Sequence, residues 1–194
     1  MDEQIVRVIA GKFRRRQLRG PGPLAKWLRP TSDRLRETLF NILGPEIEDS
    51  LFVDVCAGTG AMGIEALSRG AKEAVFIESD SRSAKLVRQN LDALEIRSGA
   101  ELLESDALTG LKKLSARRAM ADFIYVDPPY GDVDKHVRIL EYLDASHLVA
   151  PRGLVLVEHL GKTSLPERFD RLERARLVEQ GETVVSFYCL EAAA

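Results

Sequence analysis

Apolar and polar positions along this 194-residue chain change their period several times. From residue 51 onward, short apolar runs alternate with longer stretches in which apolar residues recur every three to four positions. Short runs of this kind read as buried strands, and the longer spacing reads as helices that bury one face. Residues 51–55, 74–77, 101–104, 123–126 and 154–158 are the five strands predicted in this way. The intervening helices are predicted over 61–69, 81–94, 107–118 and 133–143, the first of them stopped by Gly70. Two further strands, over 171–177 and 183–190, close the chain, and the last reads as a returning antiparallel strand. Strands that alternate with helices imply an α/β protein whose mostly parallel sheet is covered on both faces.

The first fifty residues differ. Residues 5–19 read as a hairpin of two short strands around Gly11-Lys12. Residues 20–30 are rich in Gly and Pro and predict a loop. Thr31 and Ser32 can cap a helix that runs to Leu43, with Leu35, Leu39, Ile42 and Leu43 on one face and Gly44-Pro45 as its end.

Charge sharpens this division. The net charge is only -2, but residues 1–40 carry +6 and the remainder carries -8. The basic residues of the arm are Arg7, Lys12, Arg14, Arg15, Arg16, Arg19, Lys26, Arg29, Arg34 and Arg36. An acidic body with a basic arm suits a phosphate backbone, and a solvated tail is the plainer alternative. No apolar run approaches the roughly 20 residues of a membrane span. The chain opens Met-Asp-Glu without an apolar signal core, so the expectation is a cytoplasmic protein. Cys56 and Cys189 and the three histidines show no metal-ligand spacing, which predicts free thiols and no metal site. No coiled-coil pattern argues for more than a monomer.

In parallel sheets ligands bind beyond the carboxyl ends of the strands, and the unusual residues of this chain fall there. After the first strand of the sheet comes Asp54-Val-Cys-Ala-Gly58-Thr-Gly60-Ala-Met-Gly63, which fits the G-x-G-x-x-G fingerprint. Glycine there lets a ligand approach the backbone closely. Glu78 ends the next strand and can accept hydrogen bonds from ribose hydroxyls. A pyrophosphate would disfavour a carboxylate at this loop, whereas a sulfonium and an ammonium favour one, so Asp54 points to S-adenosylmethionine rather than a nicotinamide cofactor. Asp106, followed by Ala107, can accept from an adenine amine, or serve as the N-cap of the next helix, or both.

The fourth strand delivers Asp127-Pro128-Pro129-Tyr130-Gly131. The two prolines fix the backbone and leave carbonyls as acceptors. An aryl amine is a poor nucleophile because its lone pair is delocalised into the ring. The Asp127 carboxylate and the Pro128 carbonyl could both accept from such an NH2 group and turn its lone pair toward an activated methyl. Tyr130 can stack on a base taken out of its helix. The alternative is a rigid turn with no chemistry.

Taken together, Asp54 to Gly60, Asp127 to Tyr130, the Arg7-Val-Ile-Ala-Gly11 element and the Arg29-Pro-Thr-Ser-Asp-Arg34 element resemble the bacterial 16S rRNA (guanine-966-N2) methyltransferases. The Asp-Pro-Pro-Tyr motif is shared with adenine-N6 and cytosine-N4 enzymes and specifies amino methylation alone. The N-terminal elements point to this particular family. The resemblance implies a Rossmann-like seven-stranded methyltransferase sheet, mostly parallel with the last strand antiparallel. It implies residues 1–30 as a basic RNA-binding hairpin and loop, and 31–194 as the S-adenosylmethionine-dependent domain. The partner implied is 16S rRNA in the small ribosomal subunit or its assembly intermediate.

Carried over by position, Asp54, Gly58 and Gly60 hold the methionine part, Glu78 the ribose, and Asp106 and Ala107 the adenine. Asp127, Pro128, Pro129 and Tyr130 hold the target base. Lys12, Arg14, Arg15, Arg16, Arg29, Thr31 and Arg34 face the RNA. Two alternatives stay open: adenine-N6 methylation of DNA or RNA, and a non-catalytic ribosome assembly factor of the same fold.

Overall fold

The computed structural model describes residues 6–22, 31–128 and 133–191. Fifteen elements follow one another along it. The N-terminal part holds β1 (Val6–Arg7), β2 (Gln17–Leu18), α1 (Asp33–Leu43) and a 3-10 turn (Gly44–Ile47). The alternating part holds β3 (Leu51–Val55), α2 (Ala61–Ser68), β4 (Glu73–Glu78), α3 (Ser81–Ala93), β5 (Ala100–Glu104), α4 (Ala107–Ala116), β6 (Ala121–Val126) and α5 (Val133–Ala145). Three longer strands finish the chain: β7 (Val149–Leu160), β8 (Leu172–Gln180) and β9 (Thr183–Leu190).

The main sheet has seven strands in the order β5-β4-β3-β6-β7-β9-β8. The five strands β3 to β7 run parallel, and β9 enters antiparallel between β7 and β8. The expected mostly parallel sheet with a returning last strand is therefore the sheet observed. Strand order reverses between β3 and β6, which opens a crevice at their carboxyl ends.

Alternation along the strands divides the core. Val53, Val55, Ile124, Val126, Val155 and Val157 face α4 and α5, where Leu111, Leu114, Ile139, Leu140 and Leu143 cover them. Phe52, Phe123, Tyr125 and Leu156 face α1 through Leu35, Leu39, Phe40 and Leu43. Ser32 caps α1 as its sequence suggested, its hydroxyl accepting from Leu35 N at 3.2 Å. Gly44 follows at φ 57 and turns the chain out of the helix. Among the described residues, no helix is long and apolar enough to cross a membrane.

Two elements differ from their expected extents. β7 begins five residues early, at Val149. It pairs with β6 through Ala121↔Val149 and Phe123↔Leu154, so β7 advances five residues while β6 advances two. The extra length includes Pro151 and Gly153; a Cβ on Gly153 would lie 2.8 Å from Ala121 O. Pro and Gly punctuate the sequence as a strand end, but tertiary pairing absorbs them as a bulge. The N-terminal hairpin has strands of only two residues each, shorter than the pattern suggested. Beyond β1, the amides of Ile9 and Ala10 turn away and donate to the Glu65 carboxylate of α2 at 2.7 and 3.0 Å.

The hairpin is no loose tail. Val6, Val8 and Leu18 are buried with Ala57, Ala61, Ile64, Phe76 and Val87, a cluster under α2 and α3. Its turn is docked on the end of α2: Lys12 N donates to Ser68 O at 2.7 Å, and Phe13 N to Ser68 Oγ at 2.9 Å. Gly11 sits at φ 78 so close that a Cβ would lie 1.8 Å from Ser68 O, which leaves no room for another residue.

Candidate active site

The loop after β3 coils tightly. Cys56, Gly58 and Gly60 all have positive φ, at 64, 56 and 76°. Cys56 N and Ala57 N both donate to Ile77 O, and Gly60 N donates back to Ala57 O at 2.7 Å. Gly60 is the N-cap of α2 in the left-handed conformation. Gly63 has a different reason to be glycine: a Cβ there would lie 2.3 Å from the Phe76 ring. Close packing of helix on strand, rather than ligand approach, fixes that position.

Asp54 is buried, and its Oδ2 accepts from Gly63 N at 2.9 Å. Burial pushes its carboxyl up to about 7, against the Gly63 amide that lowers it, and the nearby Glu78 pushes it further. Cys56 is half-exposed as a residue, yet burial of its thiol pushes it to about 12, with Lys135 opposing. It stays a neutral thiol.

Glu78 closes β4 and reaches across to the same loop. Its Oε2 accepts from Gly58 N and its Oε1 from Asp80 N, each at 2.8 Å. The carboxylate thus shapes the glycine loop, and each oxygen keeps a lone pair for a further donor. Asp106 is the N-cap of α4, its Oδ1 accepting from Thr109 N at 3.0 Å. That bond lowers its carboxyl, and the side chain is exposed. The capping role is realised, and Oδ2 leaves the second role open. Ala107 is buried in the first turn behind it.

Asp127 and Pro128 follow β6. Asp127 N donates to Val55 O at 3.2 Å, which carries the β3–β6 pairing one residue past the strand. This places Asp127 in the crevice opposite the β3 loop. The carboxylate is close enough to raise both the Cys56 thiol and the Tyr125 phenol. Pro129, Tyr130 and Arg29 lie outside the described residues.

Beneath Asp127 lies a polar cluster of which the sequence singled out only Thr31. Tyr125 Oη donates to Glu158 Oε2. Thr31 Oγ1 lies 3.3 Å from Tyr125 Oη and 3.4 Å from Glu158 Oε2. His136, in the first turn of α5, donates from Nε2 to the Glu158 carbonyl at 3.1 Å. Tyr125 and Glu158 are buried, and burial together with the Glu158 and Asp127 charges holds the phenol well above its usual range. The available signal was positional: Glu158 ends a parallel strand, as do Asp54, Glu78 and Asp127 or their neighbours. His159 is buried, and its Nε2 lies 2.9 Å from Ser186 Oγ.

The basic residues separate into two groups. Thr31 reaches the site, and Arg34 is exposed in the first turn of α1, which follows it. Lys12, Arg14, Arg15 and Arg16 are exposed on the hairpin turn, where Arg16 Nη2 donates to Ala93 O, the last residue of α3, at 2.6 Å. Asp80, at the other end of that 13-residue helix, is the residue bound to Glu78. At 1.5 Å per residue that helix is about 19 Å long, so Arg16 and Glu78 attach at its opposite ends. Arg36 leaves the basic surface altogether. It is fully buried, donates to Arg7 O at 2.7 Å and pairs with Asp33, while its Nε and Nη1 have no partner among the described residues. Arg7 is paired with Asp33 as well.

Asn90 and Glu65 are further residues the pattern did not single out. Asn90 Nδ2 donates to both Arg19 O and Thr59 O, which ties the end of the hairpin to the glycine loop.

The chain is similar to known proteins. Residues 6–189 match the family described as Conserved hypothetical protein 95. The chain is 37% identical over 163 residues to ribosomal RNA small subunit methyltransferase D of Escherichia coli, covering 83% of this chain and 78% of that one. It is 32% identical over 183 residues to YlbH of Bacillus subtilis, covering 94% and 98%. Among solved structures, the yhhF protein of Escherichia coli superimposes with a TM-score of 0.83 at 32% identity, over 97% of this chain and 99% of that one. The chain belongs to the Conserved hypothetical protein 95 family.

Proposed function

We propose that this protein transfers a methyl group from S-adenosylmethionine to the exocyclic N2 of a guanine in small-subunit rRNA. The observation that carries the reading is Asp127-Pro128 at the tip of β6, hydrogen-bonded to the end of β3 at the reversal of strand order. Kinship with a protein named for small-subunit rRNA methylation supports the substrate class.

The residues at the end of β3 suit this donor. Burial and the nearby Glu78 disfavour the ionised form of Asp54, so a cation beside it would stabilise that form. The positive φ of Gly58 and Gly60 keeps the loop coiled, and neither glycine places a side chain on it. When bound, S-adenosylmethionine supplies a methyl group activated on a sulfonium. Asp54 with Gly58 and Gly60 holds its methionine part, Glu78 the ribose, and Asp106 with Ala107 the adenine. The Asp127 carboxylate and the Pro128 carbonyl accept from the guanine NH2 group and orient its lone pair. Positioning and fixed electrostatics then carry most of the catalysis. Residues 1–30 serve as the RNA-binding extension, with residues 31–194 as the catalytic domain. A ribosomal substrate places the protein in the cytoplasm.

The test is transfer of a labelled methyl group to small subunits that lack the modification. Wild-type protein should label the RNA, nucleoside analysis should return N2-methylguanine, and Asp127→Ala should abolish the signal. No transfer by wild type, or undiminished transfer by Asp127→Ala, rejects the reading. N6-methyladenine as product would reassign the base.

A further inference from the structure

Residues 127–132 join β6 to α5, and both flanks of this loop are bonded to one residue, Glu158. On the near side, Tyr125 donates from its hydroxyl to the Glu158 carboxylate. On the far side, His136 donates from its ring to the Glu158 carbonyl at 3.1 Å. Tyr125 stands two residues before Asp127, so both side chains leave the same face of the strand. The register places Asp54 opposite Tyr125 on β3 and Leu156 opposite it on β7, with Glu158 two residues further along that face. Thr31 joins this group from outside, 3.3 Å from the phenol and 3.4 Å from the carboxylate. It directly follows residues 23–30, which carry Arg29, and directly precedes Ser32, the cap of α1.

Buried polar groups are costly, and apolar residues of similar size would stabilise the core as well. What the polar cluster adds is geometry. It sets the distance between the two ends of the loop and fixes the start of α1 against them.

We propose that Glu158, Tyr125 and Thr31 form a positioning unit that holds Asp127 between the end of β6 and the start of α5 and couples it to the N-terminal end of α1. The proposal rests on the methyltransferase reading and adds three positioning residues to it. Misplacing a reacting group by about an ångström costs up to about 100-fold in rate. Glu158→Gln and Tyr125→Phe should therefore lower kcat on undermethylated small subunits by roughly tenfold or more. The KM for S-adenosylmethionine should stay within about twofold, because the donor-binding strand ends are untouched. Thr31→Val should lower kcat in the same way, and Thr31→Ser should restore it. The double variant Thr31→Val/Tyr125→Phe should be no slower than Tyr125→Phe alone, since the two act as one unit.

Tyr125→Phe and Thr31→Val each remove one hydroxyl and keep the shape, so they carry the test if Glu158→Gln does not fold. Retained kcat with only a lowered Tm, or losses that multiply in the double variant, overturns the proposal. Absence of any transfer by wild-type protein is a separate result, and it removes the methyltransferase reading itself.

Discussion

Asp54 and Gly63 are joined by a 2.9 Å hydrogen bond from the helix amide to the strand carboxylate, so the last acid of β3 is anchored on the first turn of α2. The bond spans the glycine loop and holds its two ends together. It also leaves a buried acid with a carboxyl near 7 beside a second acid, Glu78.

The sign of the resulting pH dependence follows from that shift. The folded state of the free protein holds a proton on Asp54 that the unfolded chain releases near 4. Stability from this group is full below the unfolded value and is lost as pH rises through about 7. The loss amounts to about 4 kcal/mol at most. Urea unfolding should therefore show Asp54→Asn gaining stability on wild type as pH rises from 5 to 8. Donor affinity should move oppositely: it should rise with pH through about 7 in wild type, with proton release in titration calorimetry, and be weak and flat in Asp54→Asn. Equal pH profiles for the two proteins would contradict the assignment.

Gly63→Ala should destabilise by about 1–3 kcal/mol, because overpacking forces neighbours out of their rotamers. The clash is with the Phe76 ring, 2.3 Å from the added carbon. Combined with Phe76→Leu, the total loss should be smaller than the sum of the single losses. Thermal unfolding of the four proteins measures the coupling.

Glu65 is fully buried and accepts the amides of Ile9 and Ala10 as well as pairing with Arg69. Removing one partner of a buried ionic pair costs about 3–5 kcal/mol. Glu65→Ala should lower stability by that order and speed amide exchange at residues 8–10 above that of β3. Affinity for RNA should fall while affinity for the donor holds, since the hairpin and not the strand ends is released.

Arg14 and Arg15 are exposed on a turn docked against the end of α2. Arg14→Ala and Arg15→Ala should each flatten the salt dependence of RNA binding by about 0.7–0.9 in log–log slope. The kcat at saturating RNA should not change. Arg36→Lys, by contrast, should affect folding and leave the slope alone, because Arg36 is buried.

Much of this was legible in the chain itself. The periods of residues 51–190 specify strands and helices whose observed bounds lie mostly within one or two residues of the pattern. The exceptions, early β7 and the short hairpin strands, are places where partners distant in sequence took over the backbone groups. The acids at strand ends were legible too, because Asp54, Glu78 and Asp106 interrupt apolar runs or open helices. Glu158 showed the same signal. It could not be weighted without knowing that Tyr125, His136 and Thr31 converge on it.

The amino-acid order by itself determined the alternating architecture, the end of the sheet that carries chemistry, and the acceptors available there. These follow from side-chain period and strand direction, which are local properties. Only the tertiary structure decided that Arg16 and Glu78 attach at opposite ends of α3, that Arg36 is buried rather than presented, and that Glu158 grips both flanks of the Asp127 loop. Those relations join residues dozens of positions apart, and distance along the chain carries no information about distance in space until the sheet order is fixed.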